Sequence, residues 1–155
     1  MINPADLNAF IVKAKAATYV GSGEPVRSSR PGSHDLRYSE GAWAYLDSYF
    51  GGQDFIGEEV VWLEGRPVWA MNYYGFILDT AKISPAEAGQ VIKASLAEMY
   101  RQGRFLGDFV YQYGDFYYED TNTGDATRFT GLEKISRGGS LVYSLHYHGG
   151  LIVEG

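Results

Sequence analysis

The chain has no cysteine, which removes disulfides, thiol nucleophiles and thiolate metal ligands from its chemistry. Imidazole chemistry is confined to three residues, His34, His146 and His148. No run approaches the roughly 20 apolar residues of a membrane-spanning helix. The N-terminus also lacks the basic start and apolar run of a secretion signal, so the cytoplasm is the expected location and a membrane is not an expected partner. Basic residues are few. Thirteen Lys and Arg stand against nineteen Asp and Glu, for a formal charge of -6. The positive residues are scattered, so no stripe exists to release counterions from phosphates, and nucleic acid is not expected to bind this chain alone.

What is present describes a globular, strand-rich protein. A chain of 155 residues suits one domain, expected to span 1–155, and such a domain buries roughly 70% of its unfolded surface. Thirteen Tyr, eight Phe and three Trp favour strands.

The sequence also matches itself. Asp35, Tyr38, Gly41, Tyr45, Asp47 and Gly51 recur 73 positions later as Asp108, Tyr111, Gly114, Tyr118, Asp120 and Gly124. After one inserted residue the spacing becomes 74, pairing Phe55 with Phe129, Gly57 with Gly131, Glu59 with Glu133, Gly65 with Gly139, Val68 with Val142, Tyr73 with Tyr147 and Gly75 with Gly149. The expected fold class is therefore α+β: an internal duplication of an α-β4 unit, with antiparallel sheets, one helix per repeat and an approximate twofold. The repeats run over about 3–78 and 84–152. On that view the shared residues serve folding, and a function sits where the copies differ.

Each repeat opens with a helix signal. Asn3 precedes Pro4, with Leu7, Phe10, Ile11 and Ala14 at helical spacing. Ser84, Pro85 and Glu87 form a capping box before Ala88, Val91, Ile92, Leu96 and Met99, and the stripe ends at Gly103. Strands follow at 36–39, 43–49, 58–63 and 67–74, then at 109–113, 116–121, 132–136 and 141–148, with glycines between them. Alternation along the last strand of each copy puts Trp69, Met71 and Tyr73, and likewise Tyr143, Leu145 and Tyr147, on the face that packs against the helices. On the opposite face Ala70, Asn72 and Tyr74 give way to Ser144, His146 and His148.

The helices repeat at a spacing of 81, so the first copy carries eight extra residues between helix and sheet, within 20–34. This segment is rich in Gly, Pro and Ser and reads as a loop. Its second half gathers Ser28, Ser29, Arg30, Ser33 and His34 just before Asp35, and Arg30 is a natural clamp for a carboxylate or phosphate. The alternative is an ordinary surface loop whose Ser and Asp side chains make local turns. His146 and His148 point the same way on one strand, but this spacing alone does not make a metal site, and neither a metal nor a cofactor is expected. Ser33, His34 and Asp35 are adjacent, which rarely aligns a nucleophile, a base and an orienting acid, and no nucleophile elbow is present. Glu58 and Glu59 face opposite sides of a strand, and Glu59 has its counterpart in Glu133, which favours a structural or surface role.

Ser29-Arg30-Pro31-Gly32-Ser33-His34-Asp35, Gly57-Glu58-Glu59, Pro67-Val68-Trp69-Ala70-Met71-Asn72-Tyr73-Tyr74-Gly75 and His148-Gly149-Gly150 carry a resemblance. Over about 14–152 the chain resembles a bacterial and archaeal family of uncharacterised domains. That family occurs alone and at the C-terminus of some Cro/repressor-type helix-turn-helix regulators. The resemblance implies a sensory or interaction module and brings no activity, cofactor or catalytic residue. This chain itself has no helix-turn-helix pattern.

The leading expectation is a small-molecule-binding or sensory module with its pocket between the repeats. Arg30, Ser33, His34, Asp35, Asn72, Tyr74, His146 and His148 are the candidate binding residues, and the ligand is a small anionic or aromatic compound. Two alternatives stand beside it. One is a small enzyme with His148 or His34 as general base and Tyr74 polarising a substrate oxygen. The other is a homo-oligomeric interaction protein using the Tyr-rich sheet face.

Overall fold

The computed structural model describes residues 2–21, 23 and 25–155. Ser22 and Glu24, within the segment expected to be a loop, lie outside the described residues. Two helices, α1 (Pro4–Ala17) and α2 (Pro85–Arg101), accompany β1 (Pro25–Val26), β2 (His34–Glu40), β3 (Trp43–Gly51), β4 (Phe55–Leu63), β5 (Arg66–Ile77), β6 (Phe109–Tyr113), β7 (Phe116–Asp125), β8 (Arg128–Arg137) and β9 (Ser140–Leu151).

Both helices begin where their capping residues direct. The Asn3 side chain accepts the Ala5 N–H ahead of Pro4. Ser84 and Glu87 satisfy each other's backbone N–H groups in a complete capping box, which ties down donors that a helix start otherwise leaves unpaired. One face of each helix is buried, with Leu7, Phe10, Ile11 and Ala14 from α1 and Ala88, Val91, Ile92, Leu96 and Met99 from α2.

All nine strands form one antiparallel sheet in the order β1-β2-β3-β4-β5-β9-β8-β7-β6. The sheet thus runs as two meanders that meet where β5 pairs with β9. At that seam Tyr73 lies opposite Tyr147, flanked by Asn72 opposite His148 and Tyr74 opposite His146. Register shifts interrupt β4–β5 between Val61 and Trp62 and β8–β9 between Ile135 and Ser136. Tight turns at Gly41 and Gly114 adopt φ of 60° and 59°, a region glycine enters without steric cost.

Side chains alternate as a pleated sheet requires. Trp69, Met71, Tyr73, Tyr143, Leu145 and Tyr147 are all buried in the core shared with the helices. Phe10 of α1 stacks on Trp43 at 5.2 Å and lies 5.8 Å from Tyr38, while Trp69 packs on Phe129 and Phe105. The segment before β2 is less loop-like than its composition suggests, because Pro25 and Val26 pair with Leu36 and Asp35.

Candidate functional site

The core is not uniformly apolar. Asp47, Glu59, Asp120 and Glu133 are all buried on the helix-facing side of the sheet, with Lys15 of α1 among them. Two of the acids are held by one device used on each side of the seam. Tyr73 of β5 sits opposite Gly57 of β4, and a side chain at position 57 would collide with the Tyr73 ring. The ring therefore crosses the strand, and its hydroxyl donates to Asp47 Oδ1 on β3 at 2.5 Å. Tyr147 of β9 likewise crosses Gly131 of β8 and donates to Asp120 Oδ1 on β7 at 2.6 Å. A glycine that leaves room for an aromatic ring is a packing requirement of that ring.

The two other acids differ in their partners. Tyr118 donates to Glu133 Oε2 at 2.6 Å. At the corresponding place in the first half, Glu59 Oε2 instead accepts Lys15 Nζ at 2.5 Å. The Tyr45 hydroxyl, counterpart of Tyr118, is buried with no hydrogen-bond partner among the described residues. Lys15 thus breaks the likeness of the halves: it is the eleventh residue after Pro4, and the eleventh after Pro85 is Leu96. Its ammonium also lies 5.5 Å from the Phe105 ring centroid and 3.4 Å from Met71 Sδ.

Burial penalises ionised acids, and the effect is large here. Loss of hydration, reinforced by the nearby Glu59, raises Asp47 to about 7. Burial raises Asp120 to about 6, with the Tyr147 hydrogen bond and the charge of Lys15 opposing the rise. Burial and then Asp120 push Glu133 up to about 8.

These groups surround a cavity of about 230 Å³ between sheet and helices, lined from both halves of the chain. Asp47, Glu59, Tyr73, Asp120, Glu133 and Tyr147 furnish its polar lining, while Met71, Ile92, Leu96, Phe105 and Leu145 supply apolar walls. Its exposed lining residues are Gly51, Gly52 and Gln53 from the β3–β4 turn and Pro85 at the start of α2. They mark the mouth. Gly89, one turn further along α2, also lines the cavity, and a Cβ there would meet no atom within 4 Å.

The residues singled out from sequence lie mainly on the other face. Asn72, Tyr74, His146 and His148 are exposed on the side away from the helices, in two directly opposed pairs. The 28–35 segment is knitted to that same face. Asp35 is buried and accepts hydrogen bonds from the Ser29 N–H and from the Ser33 and Ser48 hydroxyls. Burial raises its pKa, but those hydrogen bonds prevail and hold it at about 2. Arg30 donates to the Ser48 carbonyl and hydroxyl and lies over the Phe50 ring at 4.6 Å. Ser48, Glu58, Asn72 and His148 are successive cross-strand neighbours, so Asn72 is about 10 Å and His148 about 14 Å from Ser48 at ordinary strand spacing. The structure therefore brings Arg30, Ser33 and Asp35 together, and Asn72, Tyr74, His146 and His148 together, along one open face. His34 points the other way, with its ring 5.1 Å from Tyr49, a residue that lines the cavity.

Sequence reasoning named none of the cavity's acids as site residues. The available signal was a carboxylate in phase with core residues: Asp47 follows Tyr45 by two positions, and Glu59 precedes Val61 by two. Because Asp47 and Glu59 recur as Asp120 and Glu133, the recurrence read as scaffold.

No helix among the described residues is long and apolar enough to cross a membrane. Comparison with curated proteins and with solved structures gives no match. Residues 47–152, from the first cavity acid on β3 to just beyond β9, match the family described as Domain of unknown function (DUF5680). The chain therefore belongs to the DUF5680 family.

Proposed function

We propose that the chain is a doubled α-β4 unit that serves as a small-molecule-binding or sensory module, with its ligand site in the cavity between sheet and helices. The doubling is supported by the two Tyr-over-Gly-to-Asp arrangements and by the meeting of Tyr73 with Tyr147 at the seam. The observation that carries the binding reading is the cavity itself, open at its mouth. It combines apolar and aromatic walls with a few buried polar groups, the usual constitution of a ligand site. At about 230 Å³ it falls below the ~300 to 1,000 Å³ of drug-sized sites, so the ligand is a compact one.

A pure packing role fits less well. A core acid costs stability when its charge is buried, and Gly89 weakens α2 while leaving open space beside the cavity. Ligand-observed NMR with a library of compact fragments tests the reading. Gly89→Leu places a side chain in the cavity, so fragments that bind the parent chain are expected to lose binding in this variant, with Gly89→Ala as the folded control. Hits that bind Gly89→Leu as well as the parent would refute the cavity as the site.

A further inference from the structure

We infer that the ligand is a small organic cation, an amine or amidine on an apolar body, held by Asp47 and Asp120 against the cavity's aromatic walls. The inference rests on the binding role proposed above and names its chemical class. The sign of the lining comes first. Four carboxyl groups meet in the cavity with one ammonium, and Lys15 is already committed to Glu59. Arg104, near Asp120, is turned away: its guanidinium donates to the Leu106 and Gly107 carbonyls and lies 5.5 Å from the Phe109 ring. An anionic guest would face these acids across a medium that screens charge poorly.

The second observation is geometric. Lys15 is itself an organic ammonium inside this cavity, and its surroundings display what the site accepts: a carboxylate oxygen, an aromatic ring and a thioether sulfur around one Nζ. A cation near an aromatic face is favoured further when desolvated. Beyond that pair the acids keep acceptor capacity. Among the described residues no donor reaches Asp47 Oδ2 or Asp120 Oδ2, since the Tyr73 and Tyr147 hydroxyls take only the Oδ1 atoms. Glu59 Oε1 is likewise without a donor, as Lys15 takes Oε2. These oxygens are placed to receive the N–H groups of a guest.

A bound cation favours the ionised acids, so binding releases protons and strengthens as pH rises through the range where these carboxyls titrate. The charged and titratable groups facing them, besides the donors Tyr73 and Tyr147, are Lys15 from α1, Tyr19 beyond it, Asp35 from β2, Tyr45 and Tyr49 from β3, Glu59 from β4, Tyr100 from α2, Tyr118 from β7, Tyr143 from β9, and Arg104 with Asp108 beside Asp120. Lys15 is the cation among them that reaches a cavity carboxylate directly.

Isothermal titration calorimetry with phenethylamine, 2-phenylethanol and 3-phenylpropanoate provides the test, because the three share a ring and tether and differ in charge. Phenethylamine is expected to bind about tenfold or more tightly than the alcohol, a charge-assisted hydrogen bond being the difference, and the carboxylate is expected not to bind. Amine affinity is expected to rise between pH 6 and pH 8 and to fall about tenfold in Asp120→Asn, whose fold is checked by circular dichroism. If the alcohol or the carboxylate binds as well as the amine, and that binding disappears in Gly89→Leu, the cation assignment is overturned while the cavity stands as a binding site. If the amine does not bind, or binds with no response to pH or to Asp120→Asn, the assignment is equally overturned. Failure of the binding role itself reads differently, as fragment hits indifferent to Gly89→Leu.

Discussion

At the residue scale the halves are alike where rings need room and unlike where charge is handled. Gly57 and Gly131 are fixed by neighbours: an added Cβ at either would enter the space of Tyr73 or Tyr147. Overfilling a packed core costs about 1–3 kcal/mol. Gly131→Ala is therefore expected to destabilise by about that amount in urea denaturation, and the loss is expected to shrink in a Tyr147→Leu background, where no ring crosses position 131. An equal loss in both backgrounds would mean that the glycine is required by its backbone instead. Lys15 is the other kind of residue. It takes the place at Glu59 that a tyrosine hydroxyl holds at Glu133, and the Tyr45 hydroxyl has no partner among the described residues. A chain selected for packing alone has no evident use for that exchange.

At the element scale most of the fold was legible in the sequence because local signals agreed with the tertiary ones. Both caps act as their residues indicate, and each of the eight anticipated strands is present, all but β6 longer than anticipated by a few residues. The two-residue β1 had no alternation to reveal it. The single sheet was equally illegible, since only the pairing of β5 with β9 decides it and that contact is remote in sequence. The cavity acids failed to show for a different reason. A carboxylate in the inward phase of a strand looks like structure when it recurs, and the residues that do differ, Asn72 against His146 and Tyr74 against His148, face outward on an open surface. The element that most directly joins fold to site is α2, whose first turns border the cavity mouth. Gly89 sits in its interior at a cost of roughly 1 kcal/mol relative to alanine. Because a Cβ there meets nothing within 4 Å, Gly89→Ala is expected to raise stability by about 0.5–1 kcal/mol in thermal or urea unfolding. A destabilised variant would show that the space beside the helix is needed by the fold.

For the whole molecule, the buried acids set how stability depends on pH. Asp47 is raised to about 7, Asp120 to about 6 and Glu133 to about 8, from ordinary values of 3.8, 3.8 and 4.5. A carboxyl that holds its proton more firmly in the folded chain than in the unfolded chain makes the folded state bind more protons between the two values, so stability falls as pH rises through that interval. These three groups contribute fully below about pH 4, and their contribution is lost progressively up to about pH 8. Asp35 acts in the opposite sense. Held at about 2 by the Ser29, Ser33 and Ser48 hydrogen bonds, it stabilises above its ordinary value of 3.8 and loses that effect only as pH falls toward 2. Glu40, Glu87 and Asp125, also lowered, act on the same acid side. The two tendencies cross, and the melting temperature of the ligand-free chain is expected to peak between about pH 4 and 5 and to decline steadily to pH 8. Differential scanning calorimetry at intervals of one pH unit checks this, and a melting temperature that rose from pH 5 to 8 would contradict the upward shift of the cavity acids. Asp47→Asn and Asp120→Asn should flatten the decline, because an amide has no proton to lose. A bound cation should flatten it as well, by pairing at high pH with the ionised acids that Lys15, committed to Glu59, does not neutralise. If the cavity takes a cation as proposed, the pH that weakens the unliganded fold is thus the pH at which its acids are ionised to receive one.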